Sequence, residues 1–171
     1  WGLNQGFDEY SDDFDLSKYK VVSLGTVQKP GDEVMTNALA WLETVRERRF
    51  FAWVHLYDPH TPYDAPEPFA SRYPSQPYLA EIAYTDQHLQ MAYAAFGWDR
   101  DTLLVVTSDH GEEFWEHGSV EHGRTLYGEV VNVPLLIRFP GGRFGGRRVL
   151  APVSLIDVLP NRGPVVARVT E

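Results

Sequence analysis

Cysteine is absent from all 171 residues, so no disulfide braces the fold and cysteine usage carries no mark of an oxidising or reducing compartment. Also missing is any run approaching the ~18 apolar residues that a membrane span requires. Positive charge is scarce: 15 Lys and Arg stand against 24 Asp and Glu, a net charge of −9. No basic stripe is available to track a phosphate backbone, which excludes a general nucleic-acid surface. The one small basic cluster, Arg143, Arg147 and Arg148 among glycines, reads as a solvated hairpin tip. There is no internal repeat and no low-complexity segment. The chain opens at Trp1 with neither Met nor a signal-like stretch, so its natural start is expected upstream, and periplasmic, extracellular and cytoplasmic locations all stay open. What is present is a globular composition, 43% hydrophobic and 13% aromatic, in a length suited to one domain with a sizeable core.

Residues 1–32 are acidic, aromatic and turn-rich, and Pro30, Gly31 and Asp32 close them with a turn and a helix cap. The spacing of Val34, Ala38, Trp41, Leu42 and Val45 predicts a helix over 33–49, with Glu43, Arg46, Glu47 and Arg48 on its wet face. Phe50 to Leu56 reads as a buried strand. The following stretch, 57–77, holds six prolines and is too long and too rigid to be a mere connector. A second helix is expected over 78–96, with Leu79, Ile82, Ala83, Leu89 and Ala92 or Tyr93 on its apolar side. Leu103 to Thr107 is a continuous apolar array of the kind buried on both faces of a parallel sheet, and Val133 to Phe139 is a further strand. This order of strand, loop, helix, strand, site loop and strand predicts an α/β sheet with crossovers.

Chemistry is concentrated at the ends of these strands, where open α/β sheets bind ligands. His55, Asp58 and His60 lie in HLYDPHTPY, Asp109 and His110 in TSDHGEE, and His117 and His122 in EHGSVEHGRTLYGE. Asp109 and His110 are an oxygen and a nitrogen donor side by side, suited to a divalent cation. Plainer roles stand beside these. Asp109 could cap a helix, His110 could be a packed and hydrogen-bonded side chain, and His60 could merely brace a proline turn. His55 reads as a core strand residue, His117 as a solvent-facing turn, and Glu112, Glu113, Glu116 and Glu121 as a hydrated loop.

Four blocks in order, WVHLYDPHTPY, YLAEIAYTDQHL, TLLVVTSDHGEEFWEHG and HGRTLYGEVVNVPLLIRFPG, resemble successive blocks of the sulfatase family in the alkaline-phosphatase superfamily. The resemblance runs from about Phe50 to Pro160. It implies a partial α/β/α sandwich with a central mixed sheet, one divalent cation at the strand ends, and hydrolysis of sulfate esters, either small molecules or sulfated glycans. By resemblance, Asp109 and His110 match the late metal-ligand pair, the cation being calcium, or magnesium or manganese in some relatives. His60 matches the histidine that contacts the sulfate and helps move protons, and His122 lies where many sulfatases place a lysine or histidine against the sulfate.

Two expected features are not recognisable. Sulfatases use a formylglycine nucleophile made within a C/S-x-P-x-R motif, and a tandem Asp pair near the domain start. No serine here has the Pro and Arg at that spacing, and Asp12-Asp13 reads as solvated surface. The chain is therefore expected to be a single partial domain over residues 1–171, the later part of a catalytic domain, with an atypical tail at 161–171 and no nucleophile of its own. Two other readings stay open: phosphoryl or phosphonate transfer on the same scaffold, and a non-catalytic module that binds sulfated glycans or a protein.

Overall fold

The computed structural model describes residues 2–13, 15, 17, 27–96 and 101–158. The tail at 161–171 and the end of the resemblance at Pro160 lie outside the described residues. In order, the chain forms α1 (Gly31–Val45), α2 (Phe69–Arg72), α3 (Pro77–Phe96), β1 (Leu104–Thr107), β2 (Glu113–Phe114), β3 (Val120–Glu121), α4 (Gly128–Val131) and β4 (Leu135–Arg138).

Helix α1 begins two residues earlier than its apolar spacing predicts, and its cap comes from elsewhere. The cap position is Pro30, whose side chain accepts no hydrogen bond. Instead the Gly31 N–H donates to Asp58 Oδ2 at 2.9 Å and the Asp32 N–H to the Tyr84 hydroxyl at 3.0 Å. Distant residues thus satisfy donors that every helix start leaves orphaned. The fit is close at Gly31, where a Cβ would sit 2.9 Å from Asp58 Oδ2 and 3.5 Å from the Tyr84 ring.

Helix α3 matches its expected span but presents a different face. Ala80, Tyr84, His88 and Ala92 are buried at successive intervals of four, together with Glu81, whereas Leu79 and Ile82 are exposed. A core of Ala65, Phe69, Ala80 and Tyr84 explains the rotation: the proline-rich segment folds back through α2 and lays Phe69 edge-on against Tyr84 at 5.6 Å. The prolines of 57–77 therefore position a covering layer for α3, and small Ala80 admits it.

Two expectations about strands are corrected. Phe50 to Leu56 joins no ladder among the described residues, and Trp53 is 67% exposed. A strand exists only through its neighbour's hydrogen bonds, and an apolar run cannot supply that neighbour itself. His55, read as a core residue, is exposed with it. Strand β1 pairs antiparallel with β4, Leu104 opposite Arg138 through Thr107 opposite Leu135, rather than lying inside a parallel sheet. With one partner, Leu104, Val105 and Val106 are half-buried and Thr107 is exposed. A second antiparallel pair, β2 with β3, closes a short hairpin after the D-H-G turn. Arg143, in a turn, and Arg147 and Arg148, just after it, are all exposed, as expected of a solvated tip, with Arg143 and Arg147 over the Phe144 ring.

Two predictions follow from this packing. Glu81 is 4% exposed and accepts the His60 N–H at 2.9 Å and the Asp64 N–H at 2.7 Å. Burial pushes its carboxyl above the usual 4.5, although the two amides pull the other way. Between 4.5 and the raised folded value the native state holds more protons than the unfolded one, so this group's contribution falls as pH rises. Urea midpoints for wild type and Glu81→Gln from pH 4 to pH 7 should therefore give a stability difference that declines with pH; a flat difference would refute the assignment. Second, a Cβ on Gly111 would lie 2.0 Å from the Glu129 carbonyl oxygen. Gly111→Ala should cost about 3 kcal/mol or more, since backbone rather than a flexible side chain must give way. Unchanged denaturant stability would contradict that close approach.

Candidate functional site

Strand β1 stops at Thr107, whose hydroxyl donates to the Pro134 carbonyl at 2.8 Å, and the chain turns through Ser108, Asp109 and His110. The Ser108 hydroxyl donates to the His110 carbonyl at 2.5 Å and closes the turn. Gly111 and Glu112 then run against α4, their N–H groups donating to the carbonyls of Val130 at 2.7 Å and Glu129 at 3.0 Å. The close approach at Gly111 is what brings the turn against that helix.

On the other side, the Pro-rich loop makes a turn from His60 to Tyr63, the Tyr63 N–H donating to the His60 carbonyl at 3.0 Å. Tyr63 sits at φ 54°, a left-handed conformation that a bulky side chain adopts only when held. Its hydroxyl donates to Glu112 Oε2 at 2.5 Å, and Glu112 Oε1 accepts from His122 Nδ1 at 3.2 Å. Glu112 thus ties three segments together. The sequence reading placed Glu112 and Glu113 in a hydrated loop, yet they are 8% and 1% exposed. Burial first, then the hydrogen bond to Glu112, push the Tyr63 phenol well above its usual range, so it remains a donor.

Three of the four candidate residues named from the sequence meet as rings. His110 stacks on His122 with centroids 3.8 Å apart, His60 meets His122 edge-on at 5.0 Å, and His60 lies 6.5 Å from His110. Each ring has its Nδ1 engaged, His60 with the Thr61 carbonyl at 2.9 Å, His110 with the Gly111 carbonyl at 2.8 Å and His122 with Glu112. When Nδ1 carries the donated proton, Nε2 is the nitrogen left for chemistry. The Tyr57 hydroxyl, 3.4 Å from His60 Nε2, flanks one of these nitrogens. The fourth candidate, Asp109, is 72% exposed at its side chain, with Oδ1 accepting the His110 N–H at 3.1 Å and lying 3.8 Å from His110 Nε2.

That pair of donors suits a divalent cation. Atoms 3.8 Å apart can both reach one ion at bond lengths of about 2.0–2.6 Å. The engaged Nδ1 of His110 fixes the tautomer that leaves Nε2 free to ligate. Two ligands make only part of a coordination shell. No residue of the 171 fits a formylglycine precursor, because there is no Cys and no Ser in the required motif, so no step is derived through that group.

The remaining candidates fall elsewhere. Asp58 serves α1, and Asp12 and Asp13 are exposed, as expected of solvated surface. His117 is not a free turn residue: its Nδ1 bonds Glu129 Oε1 and its ring stacks on Tyr127 at 3.6 Å. A cleft of about 410 Å³ between α3 and β1 is lined by Asp86, Leu89, Gln90, Tyr93, Leu104 and Val106, none of them a candidate residue.

A family model described as Sulfatase matches residues 2–162. The chain is 42% identical over 60 residues to the uncharacterized sulfatase YidJ of Escherichia coli K12, covering 35% of this chain and 12% of that protein. It is 29% identical over 160 residues to the steryl-sulfatase of Mus musculus, covering 80% and 25%. It is 27% identical over 124 residues to an endo-4-O-sulfatase of Bacteroides thetaiotaomicron, covering 56% and 24%. The chain thus spans a quarter or less of the length of these relatives. Sulfatases generally use a divalent metal, and the Asp109–His110 pair has the donor chemistry for one. No helix of the described residues is long and apolar enough to cross a membrane. The family match extends over nearly the whole sequence and carries the α/β fold with it: this chain belongs to the sulfatase family.

Proposed function

We propose that this chain forms part of the catalytic site of a sulfuric ester hydrolase. The meeting of His60, His110 and His122, drawn from segments 50 and 12 residues apart, is the observation that carries the reading. Asp109 and His110 would hold a divalent cation, with Ca2+ proposed, which when bound would polarise a sulfate oxygen and offset charge in the transition state.

His60 and His122 act on the sulfate through Nε2. A protonated ring donates to a sulfate oxygen or hands its proton to the leaving alcohol, and a neutral ring takes a proton back. The Thr61 carbonyl orients His60, and Glu112 orients His122. The nucleophile, a formylglycine in this reading, comes from outside these 171 residues, and the isolated chain is inactive for want of it. The ester is a small sulfate or a sulfated glycan. Family membership alone does not choose between them.

Release of sulfate from 4-nitrophenyl sulfate by the intact protein tests this. His60→Ala and His122→Ala should each lower kcat by about 10²–10⁴-fold. Glu112→Gln should lower kcat by about tenfold with KM little changed, because it orients a ring rather than touching the ester. Full activity in both histidine variants, or robust turnover by the isolated 171-residue chain, would sink the proposal.

A further inference from the structure

Next in sequence after the Gly111–Glu112 backbone comes a second group of donors. Glu113 on β2, His117 at the tip of the β2–β3 hairpin and Glu129 in the first turn of α4 each bring one ligand atom within 4.8 Å of the others. Glu113 is the most telling member. It is 1% exposed; its Oε2 accepts the Thr125 hydroxyl at 2.8 Å, but its buried Oε1 has no hydrogen-bond partner. A carboxylate oxygen withdrawn from water with nothing to satisfy it carries a desolvation cost that a cation would remove.

The other two ligands are held in advance. The Tyr127 ring lies parallel to His117, at 13°, and fixes its plane. The Glu129 backbone is pinned by the Glu112 N–H and by the close approach of Gly111. His117 Nδ1 and Glu129 Oε1 already face each other as hydrogen-bond partners, so an incoming ion would replace that contact and take both atoms. In a tetrahedral zinc site ligand atoms stand roughly 3.3–3.5 Å apart, which small side-chain rotations reach from here.

We infer that Glu113, His117 and Glu129 form a binding site for a first-row transition-metal ion such as Zn2+, separate from the cation site of Asp109 and His110. Two carboxylates and one imidazole are a borderline ligand set, and three protein ligands leave a fourth position for water. The ion would clamp the β2–β3 hairpin to α4. It would thereby brace the loop between Glu112 and His122, so its effect on any reaction is positional.

Titration of the protein with Zn2+ alone, read by competition with a chromogenic chelator, should give one site. Substituted Co2+ should show the visible ligand-field absorption of tetrahedral coordination. Glu113→Gln and His117→Phe should each weaken Zn2+ binding by about 100-fold, the second keeping the stack on Tyr127 and so remaining informative if the buried substitution prevents folding. The double variant Asp109→Ala/His110→Ala should bind Zn2+ within about threefold of wild type. Absence of stoichiometric binding, or binding indifferent to His117→Phe, overturns the inference. Loss of Zn2+ in the Asp109/His110 variant with retention in His117→Phe also overturns it, by assigning the ion to the other site. Sulfate-ester turnover is not part of this readout, so the two proposals fail separately.

Discussion

The arrangement depends on one buried carboxylate. Glu112 is taken out of water between the proline-rich loop and the turn after β1, and a buried charge persists only where donors reach it. Tyr63 and His122 supply them, from residues 49 and 10 positions away. One group therefore fixes the left-handed turn at Tyr63, the path of the loop past His60 and the orientation of His122. Removing it would leave two partners without an acceptor as well as a strained backbone, so its loss would be felt at all three places.

Glu81 repeats the device one layer deeper. It accepts the amides of His60 and Asp64 and anchors the same loop to α3. Asp58 does so a third time for the start of α1, and burial raises its carboxyl as it raises Glu81's. Loops cannot bury their backbone without such acceptors. The stretch between Tyr57 and Pro77 is ordered because two acidic side chains, Glu81 and Glu112, and a small apolar core take up its donors and its Phe69. The strands contribute little to this: two antiparallel pairs of four and two residues leave Leu136 and the run around Trp53 exposed. Exposed apolar edges of this kind are usual association surfaces.

What the sequence made legible follows from which signals are local. The spans of α3, β1 and β4 lie within about two residues of those expected, because periodicity and apolar runs report on their own segment, whereas α1 ends at Val45, four residues short of the expected Arg49. The face of α3 was not legible, since Leu79 and Ile82 look like core until α2 is seen to pack on Ala80 and Tyr84 instead. The direction of β1 was misjudged for the same reason: a continuous apolar strand says buried, and only its partner says parallel or antiparallel. At the candidate site, His60, Asp109, His110 and His122 stood out through strand ends and motif order. Glu112, Glu113 and Tyr63 did not, because an acid beside a D-H-G turn reads as solvated unless its partners are known. The one available signal was a run of two glutamates directly after a turn glycine, which is weak alone.

Charge places a further demand on the proposed site. A sulfate monoester brings a negative charge toward Asp109 and Glu112, in a chain already at −9. At an effective dielectric of about 20, one like charge at about 4 Å costs about 4 kcal/mol. In the proposed site a cation between Asp109 and His110 would supply opposing charge. Stacking makes this demand sharper. His110 and His122 are face to face at 3.8 Å, where two positive rings would repel each other. In the proposed site His110, with Nδ1 turned to the Gly111 carbonyl, would offer Nε2 to a cation, while His122 has its Nδ1 turned to the Glu112 carboxylate. In the proposed site the contrast between a carbonyl partner for one histidine and a carboxylate for the other would divide their roles, the first ring facing a metal and the second facing the ester.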